Sequence, residues 1–574
     1  MFTSINGLNK WILILAIILP QLSYNQTAIH SSEVVHHPIV AHNGMVATQH
    51  HLATEVGLEI LKNGGNAVDA AVGIGFALAV VVPRAGNLGG GGFMLVHQAD
   101  SSITKAINYR EMAPAAAHRD MYLNTQGDVD KTFFNQSYHS IGVPGTVAGL
   151  VYALDKYGTL PLSELIQPAI TLAEKGFSVT NNLAFILHKY QKRLKKCEAS
   201  KTIFYPKGDF YQLGDTLIQS DLAWSLKQIQ KEGAKAFYEG KIGQRIINDI
   251  QANGGIMSME DLNNYSITEE DPVYGTYKGY TIASMPPPSS GGVHLIQILN
   301  LLEHFDLHSL GYNSAASIHL MTEAMRLAYA DRSEHLGDPK FWPVPVEGIC
   351  SKEYAQDLVA YIHKEHAHDS DDIKPGNPHA YESEETTHFS VVDKWGNVVS
   401  NTYTLNFSLG TGLIAEGTGI LLNNEMGDFS AKPGSPNAFG LLGKEANAVE
   451  PMKRPLSSMT PTIVFKDDHP FLITGSPGGS RIITTVLQVI LNIIDHKMNI
   501  AEATHAHRIH HQWYPDLLYH ENYFSPDTKL LLEEKGHTLK QRAAMGSAQS
   551  ILIKKDRLEG ASDPRTPDAK TKGY

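Results

Sequence analysis

The sequence predicts a globular protein of the α+β class. Apolar residues make up 42% of the 574 residues and charged residues 18%, a composition that can bury a large core. Helical apolar patterns dominate from about residue 143 to 361, and β-rich runs follow from residue 386. At about 150 residues per domain the length suggests three or four domains, although large sheets can hold such a chain in one or two units.

Charge and cysteine content exclude some classes of protein. The chain has 47 Lys and Arg against 59 Asp and Glu, a formal net charge of −12, which argues against a nucleic-acid partner. Two cysteines, Cys197 and Cys350, cannot form a disulfide framework. One bridge or two free thiols are both compatible with the sequence.

The N-terminus has the layout of a secretory signal. Lys10 precedes the apolar run Trp11–Leu19 and then Pro20, so residues 1–26 are predicted to be a signal peptide. The run is shorter than the roughly 20 residues that span a bilayer. We expect a periplasmic or secreted protein; the alternative is a membrane tether formed by an uncleaved signal-anchor.

The first elements of the body follow from apolar spacing and glycine punctuation. Helical spacing over Ala53–Leu61 ends at Asn63–Asn66, and a buried helix is predicted from about Val68. The glycine-rich segment Gly86–Gly92 then leads into Phe93–Val96, which has the pattern of a buried strand.

A polar segment and a predicted hairpin follow the helical region. Residues 364–385 lack periodicity and are predicted to be an exposed linker. Two β-rich runs flank a turn at Trp395. Antiparallel pairing about that turn places residue 390 opposite 400 and Thr386 opposite Thr404, with both hydroxyls on one face.

Thr386 is a candidate nucleophile. An acidic linker ending in Glu385 and meeting a strand that begins Thr386-Thr387 is expected where a chain cuts itself to expose an N-terminal threonine. The free α-amine of Thr386, with a pKa of about 7.7–8.0, then serves as the adjacent general base. The competing interpretation is a β-branched pair that only begins a strand.

A second glycine-rich segment precedes a predicted helix. Gly475–Ser480 runs into the apolar pattern Ile482–Ile494. The backbone N–H groups of Gly478 and Gly479 form a candidate oxyanion site at the helix N-terminus, and a purely structural turn is the alternative. Neither glycine-rich segment matches a nucleotide-binding motif.

The histidines do not form a recognisable metal motif. His507 and His511 have i, i+4 spacing, but no His-Glu-x-x-His motif or third ligand accompanies them. We therefore predict no metal and no cofactor. A second group in the linker is expected to face solvent. Its members are His363, His366 and His368.

Several blocks occur in an order that resembles one family. They are Gly64–Ala71, Gly86–Phe93, Tyr109–Pro114, Pro144–Thr146, Ser284–Gly292, Ala330–Arg332, Thr386–His388, Leu421–Ser430, Arg454–Met459, Gly475–Arg481 and Gly560–Arg565. Together they resemble the γ-glutamyltranspeptidases of bacterial type, which belong to the N-terminal nucleophile hydrolases. So many blocks in order are more specific than any single motif.

The resemblance implies a fold and a maturation step. The fold is a four-layer αββα sandwich built from two chains after self-cleavage between Glu385 and Thr386. Residues 27–385 would form the large subunit, mainly helical with part of the central sheets, and residues 386–574 the small subunit of a heterodimer. The implied activity is that of a glutathione hydrolase and γ-glutamyltransferase: Thr386 takes the γ-glutamyl group of glutathione or its conjugates and passes it to water, an amino acid or a dipeptide.

The resemblance also assigns site residues. Arg110, with the hydroxyls of Ser457 and Ser458, would bind the substrate α-carboxylate. The α-ammonium would be bound by a group of acceptors. They are Asn406, Glu425 and Asp428.

Three further roles complete the implied site. Thr404 would orient Thr386, and Gly478 and Gly479 would bind the oxyanion. Lys432–Gly440 resembles the loop that covers the pocket in bacterial relatives, with Phe439 where an aromatic hydroxyl is common. Asn406 also opens a glycosylation sequon, and we predict that it is unmodified because a glycan would block the pocket.

Two other functions remain compatible with the sequence. One is a cephalosporin (glutaryl) acylase or a γ-glutamyl hydrolase on the same fold, and the other is a binding protein that no longer processes itself. Arg110, Asp428 and the Ser457-Ser458 pair favour a substrate with a free α-amino acid end over a glutaryl group.

Overall fold

Two antiparallel sheets of seven strands each form the centre of the computed structural model. The structure describes residues 36–206, 208–378, 390–437, 439–522 and 524–574. The predicted signal peptide, Glu385 and Thr386 lie outside these ranges. Within them, no helix is long and apolar enough to cross a membrane.

The strands of the described ranges are short, and most are buried. In chain order they are β1 (Ile39–Ala41), β2 (Met45–Thr48), β3 (Gly91–Gln98), β4 (Ile103–Tyr109), β5 (Phe177–Ser178), β6 (Thr216–Leu217), β7 (Thr268–Glu270), β8 (Val273–Tyr277), β9 (Tyr280–Ser284), β10 (Ser390–Val392), β11 (Val398–Thr404), β12 (Ile414–Ala415), β13 (Ile420–Leu421), β14 (Thr462–Lys466), β15 (His469–Thr474), β16 (Ile509–His510), β17 (Leu518–His520), β18 (Leu539–Gln541), β19 (Gln549–Ile553), β20 (Leu558–Ser562) and β21 (Lys570–Gly573). One large sheet has the order β1-β20-β19-β15-β14-β9-β8, and the other β21-β2-β10-β11-β3-β4-β7.

Helices cover the outer faces of both sheets. In chain order they are α1 (His51–Lys62), α2 (Ala67–Val81), α3 (Lys131–Gln136), α4 (Thr146–Tyr157), α5 (Leu162–Leu165), α6 (Gln167–Lys175), α7 (Asn181–Leu194), α8 (Glu198–Phe204), α9 (Ser220–Glu232), α10 (Lys235–Tyr238), α11 (Lys241–Ala252), α12 (Met259–Asn263), α13 (Gly291–Leu302), α14 (Leu307–Leu310), α15 (Ala315–His335), α16 (Val346–Cys350), α17 (Lys352–Val359), α18 (Arg481–Ile494), α19 (Ile500–His505) and α20 (Pro526–Glu534).

Alternating side chains divide the core into three layers. On β3, Phe93 and Leu95 pack between the two sheets, whereas Met94 and Val96 pack against helices. The other sheet behaves in the same way: Ile463 of β14 faces the space between the sheets and Val464 faces helices. Because side chains alternate along a strand, each sheet buries both faces, and the result is a four-layer αββα sandwich.

The structure confirms the early helices and the hairpin register. Helices α1 and α2 match the predicted pair, and α2 is capped by the Asn66 side chain, which accepts from the N–H groups of Val68 and Asp69. In the hairpin, Ser390 pairs with Ser400 and Val392 with Val398, which is the predicted register. The predicted pairing of Thr386 with Thr404 lies outside the described residues.

The linker prediction is only partly correct. No regular element occurs between residues 364 and 378, and His363 and His366 are exposed. The structure corrects the prediction at Ser370, which is buried and donates to the carbonyl of Trp513 at 2.7 Å, and at His368, whose Nδ1 lies 2.7 Å from Glu323. The linker had no apolar periodicity because polar contacts anchor it.

The two cysteines are free thiols. Cys197 Sγ lies 3.6 Å from the carbonyl oxygen of Ile414, and Cys350 Sγ lies 3.7 Å from that of Val293. Burial raises the pKa of the Cys350 thiol, so the thiol stays protonated. Cys350 therefore contributes to packing and does not supply a reactive thiolate.

The layer between the sheets supplies a test of the fold. Phe93 has no exposed surface, so Phe93→Ala should leave a cavity between the sheets and destabilise the protein by about 3–5 kcal/mol. Thermal and urea unfolding measure this change. Trp395→Ala in the exposed hairpin turn, where half of the side chain is already in solvent, is the control, and an equal loss in both variants would contradict the layer assignment.

Candidate active site

One cavity of about 430 Å³ brings together the predicted site residues that the structure describes. They are Arg110, Thr404, Asn406, Glu425, Asp428, Phe439, Ser457, Ser458, Gly478 and Gly479. These residues are separated by up to 369 positions in the sequence, so their convergence comes from the packing of the sheets. Glu385 and Thr386 lie outside the described residues.

The ends of three neighbouring strands position the first groups. Strand β11 ends at Thr404, which pairs with Gly91 of β3, and Gly92 pairs with Tyr109 at the end of β4. Arg110 follows directly. A Cβ atom at Gly92 would lie 2.4 Å from that of Tyr403, so glycine is needed for the strands to approach closely at this edge.

Arg110 is a fully buried cation held between carboxylates. Its guanidinium forms ion pairs with Glu425 and, at 2.6 Å, with Asp428, and its Nε donates to the carbonyl of Pro455 at 3.2 Å. Glu111 lies 3.7 Å from the same guanidinium. Contacts among the described residues engage three of the five N–H donors of Arg110, and two remain for another partner.

Carboxylates outnumber cations around Arg110. Burial raises the pKa of Glu111 to about 7, although Arg110 opposes this shift. Burial and the neighbouring Glu111 and Asp428 raise the pKa of Glu425 well above its ordinary value. A second cation in the cavity would favour the ionised forms, so the electrostatics suit a ligand with an ammonium group.

A pair of serines lies on another wall of the cavity. Ser290 donates through its backbone N–H, at 2.9 Å, and through its hydroxyl, at 2.8 Å, to the carbonyl of Ser457. Arg332, which the sequence analysis did not assign to the site, donates from Nε to the Ser290 hydroxyl at 2.8 Å and from Nη2 to the Ser458 hydroxyl at 3.1 Å. These bonds hold the serine hydroxyls beside the positively charged guanidinium of Arg332, an arrangement that suits a carboxylate ligand.

Thr404 and Asn406 are held in one turn. The Asn406 N–H donates to Thr404 Oγ1 at 2.8 Å, and the Asn406 amide donates to the carbonyl of Asn424 at 3.0 Å. Asn406 has a φ of 71°, a left-handed conformation that asparagine tolerates. No bond among the described residues engages the Asn406 Oδ1 atom, which can act as an acceptor; Glu425 and Asp428 line the same cavity.

Gly478 and Gly479 form the turn that precedes α18. Their φ angles are 145° and 60°, both in the region that favours glycine. Within the described part of the chain, neither backbone N–H has an acceptor. Two unpaired N–H groups at a helix N-terminus on a cavity wall are suited to an anion.

Phe439 lies over this turn. Its ring meets that of Phe407 edge to face, with centroids 5.8 Å apart, and a Cβ atom on Gly479 would lie 2.8 Å from Phe439 Cδ1. Phe439 is anchored through its carbonyl, which accepts from Gln512 at 3.2 Å. The loop around residue 439 therefore forms one wall of the cavity.

Sequence reasoning missed several arginines on the cavity wall besides Arg332. They are Arg84, Arg193 and Arg481. No ion pair involves any of these three among the described residues, and burial lowers the pKa of each. Of these three, only Arg481 lies within a motif block. Arg84 lies two positions before the block Gly86–Phe93, and Arg193 lies outside every block.

The C-terminal histidines have other roles. His510 contacts Thr484 at 2.9 Å and Gln512 at 2.9 Å, and His511 contacts Asp516 at 3.0 Å. Strand β16 includes His510, so the i, i+4 spacing of His507 and His511 does not place them on one helical face.

Comparison with known proteins gives the family of this chain. The sequence profile named Gamma-glutamyltranspeptidase matches residues 53–573. The chain belongs to the γ-glutamyltranspeptidase family. It is 54% identical, over 94% of each chain, to the glutathione hydrolase proenzyme of Escherichia coli strain K12.

Solved structures agree with this family assignment. The γ-glutamyltranspeptidase of Helicobacter pylori is 48% identical, with a TM-score of 0.57 over 58% of this chain and 95% of that one. A cephalosporin acylase from Bacillus halodurans is 27% identical and has a TM-score of 0.84, covering 96% of this chain and 98% of that one. As a γ-glutamyltranspeptidase family member the chain is an enzyme with the N-terminal nucleophile hydrolase fold.

The charge arrangement around Arg110 predicts a pH-dependent loss of stability in a variant. Arg110→Gln should cost about 3–5 kcal/mol, because carboxylates remain buried without their cation. Loss of the cation raises the pKa values of Glu111 and Glu425 further. A raised carboxylate pKa favours folding at low pH, and this contribution disappears as pH rises to the folded pKa, so the deficit should grow above pH 7 by up to about 1.4 kcal/mol per pH unit and proton.

Thermal unfolding between pH 5 and pH 9 measures this effect. Arg193→Gln is the control, because Arg193 donates to the carbonyl of Ser408 and forms no ion pair with a described carboxylate. A deficit of Arg110→Gln that is constant with pH, or that shrinks at high pH, would contradict the assigned electrostatics.

Proposed function

We propose that this chain is a self-processing γ-glutamyltransferase and glutathione hydrolase with Thr386 as its nucleophile. One observation carries the proposal: a single cavity holds groups suited to both ends of an amino acid and, beside them, two unpaired glycine N–H groups. Membership of the γ-glutamyltranspeptidase family supports the same reaction class.

Maturation is proposed as cleavage of the bond between Glu385 and Thr386. The Thr386 hydroxyl attacks the carbonyl carbon of Glu385, and hydrolysis of the resulting ester leaves Thr386 with a free α-amine. The hairpin register supports this assignment: Ser390 pairs with Ser400, and the same pairing extended beyond the described residues would set Thr386 opposite Thr404. Residues 27–385 and 386–574 would then form a heterodimer of large and small subunits.

Donor recognition is proposed to use both walls of the cavity. The substrate α-carboxylate would accept from the two remaining donors of Arg110 and from the hydroxyls of Ser457 and Ser458, with Arg332 adding positive charge. The α-ammonium would lie among a set of acceptors and relieve their excess negative charge. Its members are Asn406, Glu425 and Asp428.

Acyl transfer then proceeds in two steps. Thr386 Oγ attacks the γ-carbonyl carbon of the donor while its proton passes to the α-amine, and the oxyanion accepts from the N–H groups of Gly478 and Gly479. The C–N bond breaks, and the leaving amine takes the proton. Water or an amino-acid amine attacks the γ-glutamyl ester in the second step and regenerates Thr386.

Two further groups shape the proposed site. Phe439 covers the Gly478-Gly479 turn and reduces the access of water. Arg84, Arg193 and Arg481 line the cavity and form no ion pair with a described carboxylate. Their guanidinium groups suit the carboxylate of a leaving cysteinylglycine or an acceptor dipeptide. The proposed compartment is the periplasm or the exterior, reached through the signal of residues 1–26, with an uncleaved anchor as the alternative.

A glutaryl acylase is the second candidate function, and the likeness to a cephalosporin acylase is the observation that favours it. A glutaryl group retains a carboxylate but lacks the α-ammonium. The carboxylates of Glu425 and Asp428 would then face an apolar methylene, and the excess of carboxylates around Arg110 would lack a second cation. The electrostatics of the cavity therefore favour the γ-glutamyl donor.

Thr386→Ala tests the nucleophile and the cleavage together. Wild-type protein should separate into two chains, the smaller beginning Thr-Thr-His-Phe-Ser, whereas the variant should remain one uncut chain without activity on a γ-glutamyl anilide. Intact mass and N-terminal sequencing measure this. Thr387→Ala is the matched control and should still be cut, and a two-chain Thr386→Ala protein would refute the assignment.

Donor selectivity tests ammonium recognition. Wild-type enzyme should hydrolyse a γ-glutamyl anilide at least about 100-fold faster, in kcat/KM, than the glutaryl anilide, because the site leaves polar groups unpaired with the latter. Asp428→Asn should narrow that ratio by removing one negative charge. Glu445→Gln, on an exposed ion pair with Arg119, is the control. A preference of the wild type for glutaryl would support the acylase instead.

A further inference from the structure

A buried group of potential metal ligands lies outside the cavity. Among the described residues, His319, Glu323 and His537 bring one ligand atom each within 4.8 Å of one another. All three side chains are buried. Local sequence gives no signal for this group, because residues 319 and 537 lie far apart in the chain and neither is part of a metal motif.

Helix geometry and one long-range contact build this group. His319 and Glu323 are four residues apart on α15, so they lie on one face of the helix. His537 lies between α20 and β18, and its Nε2 is 2.8 Å from His319 Nδ1. Because these two nitrogens face each other, they share either a proton or a metal ion.

The surrounding contacts orient the ligands as an outer shell would. His319 Nε2 lies 2.6 Å from the carbonyl oxygen of His363, so Nε2 carries the proton and Nδ1 presents its lone pair to the cluster. Glu323 Oε2 lies 2.7 Å from His368 Nδ1. Metal-binding histidines commonly donate their other N–H to a carbonyl in this way.

Charge and protonation also suit a divalent cation. Burial lowers the pKa of His319 and lowers that of His537 to about 3, so both rings are neutral at pH 7, the form that binds metal. Arg326 contributes an opposing charge 3.2 Å from Glu323, but it also pairs with Asp516. Lys535, another cation that acts on His319, pairs with Glu365 at 2.9 Å.

Counting these groups leaves one negative charge on the cluster. Glu323, Asp516 and Glu365 supply three negative charges, and Arg326 and Lys535 supply two positive ones. The nearby His511 is neutral, because burial lowers its pKa. A cation bound here would therefore be partly neutralised by its surroundings.

We propose that His319, Glu323 and His537 bind one Zn²⁺ ion. Two histidines and a glutamate are a ligand set that Zn²⁺ favours. Tetrahedral Zn–N bonds of about 2.0–2.1 Å separate the two nitrogens by about 3.3 Å, so the facing rings need to part by about 0.5 Å. His537 then carries its proton on Nδ1, and no group needs to gain or lose a proton.

This ion joins two distant parts of the chain. His319 and Glu323 precede residue 385, and His537 follows it. If the chain is cut there, as the proposed function requires, the Zn²⁺ ion links the large subunit to the small one. This consequence rests on the proposed function, whereas the binding of the metal does not.

Metal titration of the purified wild-type protein tests the site directly. After treatment with EDTA and dialysis, the protein should bind one Zn²⁺ per chain in calorimetry, and Co²⁺ should give the visible bands of a tetrahedral complex. Zn²⁺ should also raise the thermal unfolding midpoint, and EDTA should reverse the rise. The proposal is wrong if the protein fails to bind one equivalent of Zn²⁺ with a Kd below about 10 µM.

Matched variants locate the ion. His537→Gln keeps a hydrogen-bond donor for His319 and should lose the Zn²⁺ equivalent, the cobalt bands and the thermal shift. If the His537→Gln protein fails to fold, His319→Gln is the substitute variant and should lose the same three signals. His366→Gln, an exposed histidine on the same linker, should retain all three signals. Equal Zn²⁺ binding by wild type and His537→Gln would overturn the assignment.

The uncut Thr386→Ala protein separates this proposal from the proposed function. It should bind Zn²⁺ as the wild type does, because the site forms on folding. If wild-type protein is never cut but still binds one Zn²⁺, the processing proposal fails and the metal site stands. If the wild-type protein is cut and binds no Zn²⁺, the metal-site proposal fails and the processing proposal stands.

Discussion

The pairing of β11 between β10 and β3 is the constraint on which the cavity depends. Antiparallel hydrogen bonding fixes Ser390 against Ser400 on one side and Thr404 against Gly91 on the other. A register shift of one residue would turn every side chain of β11 to the opposite face. The end of β11 therefore carries Thr404 to the same edge as Arg110, and the glycines of β3 allow the close approach that this edge needs.

Electrostatics follow from that placement. The buried charge of Arg110 is stable only because the opposite charges of Glu111, Glu425 and Asp428 surround it. The excess of carboxylates over cations favours the binding of a further cation in the cavity. On the other walls, guanidinium and N–H groups lack an anion among the described residues. The cavity is thus divided between a region for an ammonium group and regions for carboxylate and oxyanion, which matches a zwitterionic donor with a scissile amide.

The same packing places a second polar group far from the cavity. Helix α15 contributes Arg332 near one end and His319 with Glu323 near the other, so one element contacts both the serine wall and the histidine group. Both sites depend on polar contacts that cross from residues before 385 to residues after it. These contacts hold the two parts of the chain together independently of the apolar layers.

Local sequence patterns determined the elements, and tertiary structure decided their partners. Apolar periodicity and turn residues sufficed for α1, α2, β3, α18 and the β10–β11 hairpin, because helices and hairpins depend on contacts between near neighbours. The ordered motif blocks were enough to name the family and many of the residues that line the cavity, although not the arginines on its wall. They could not show that Arg110 is paired with Glu425, that Arg332 supports Ser458, or that His537 meets His319, because such contacts join segments separated by more than 120 residues. Those contacts depend on how the two sheets stack, and the spacing of residues along the chain does not predict that stacking.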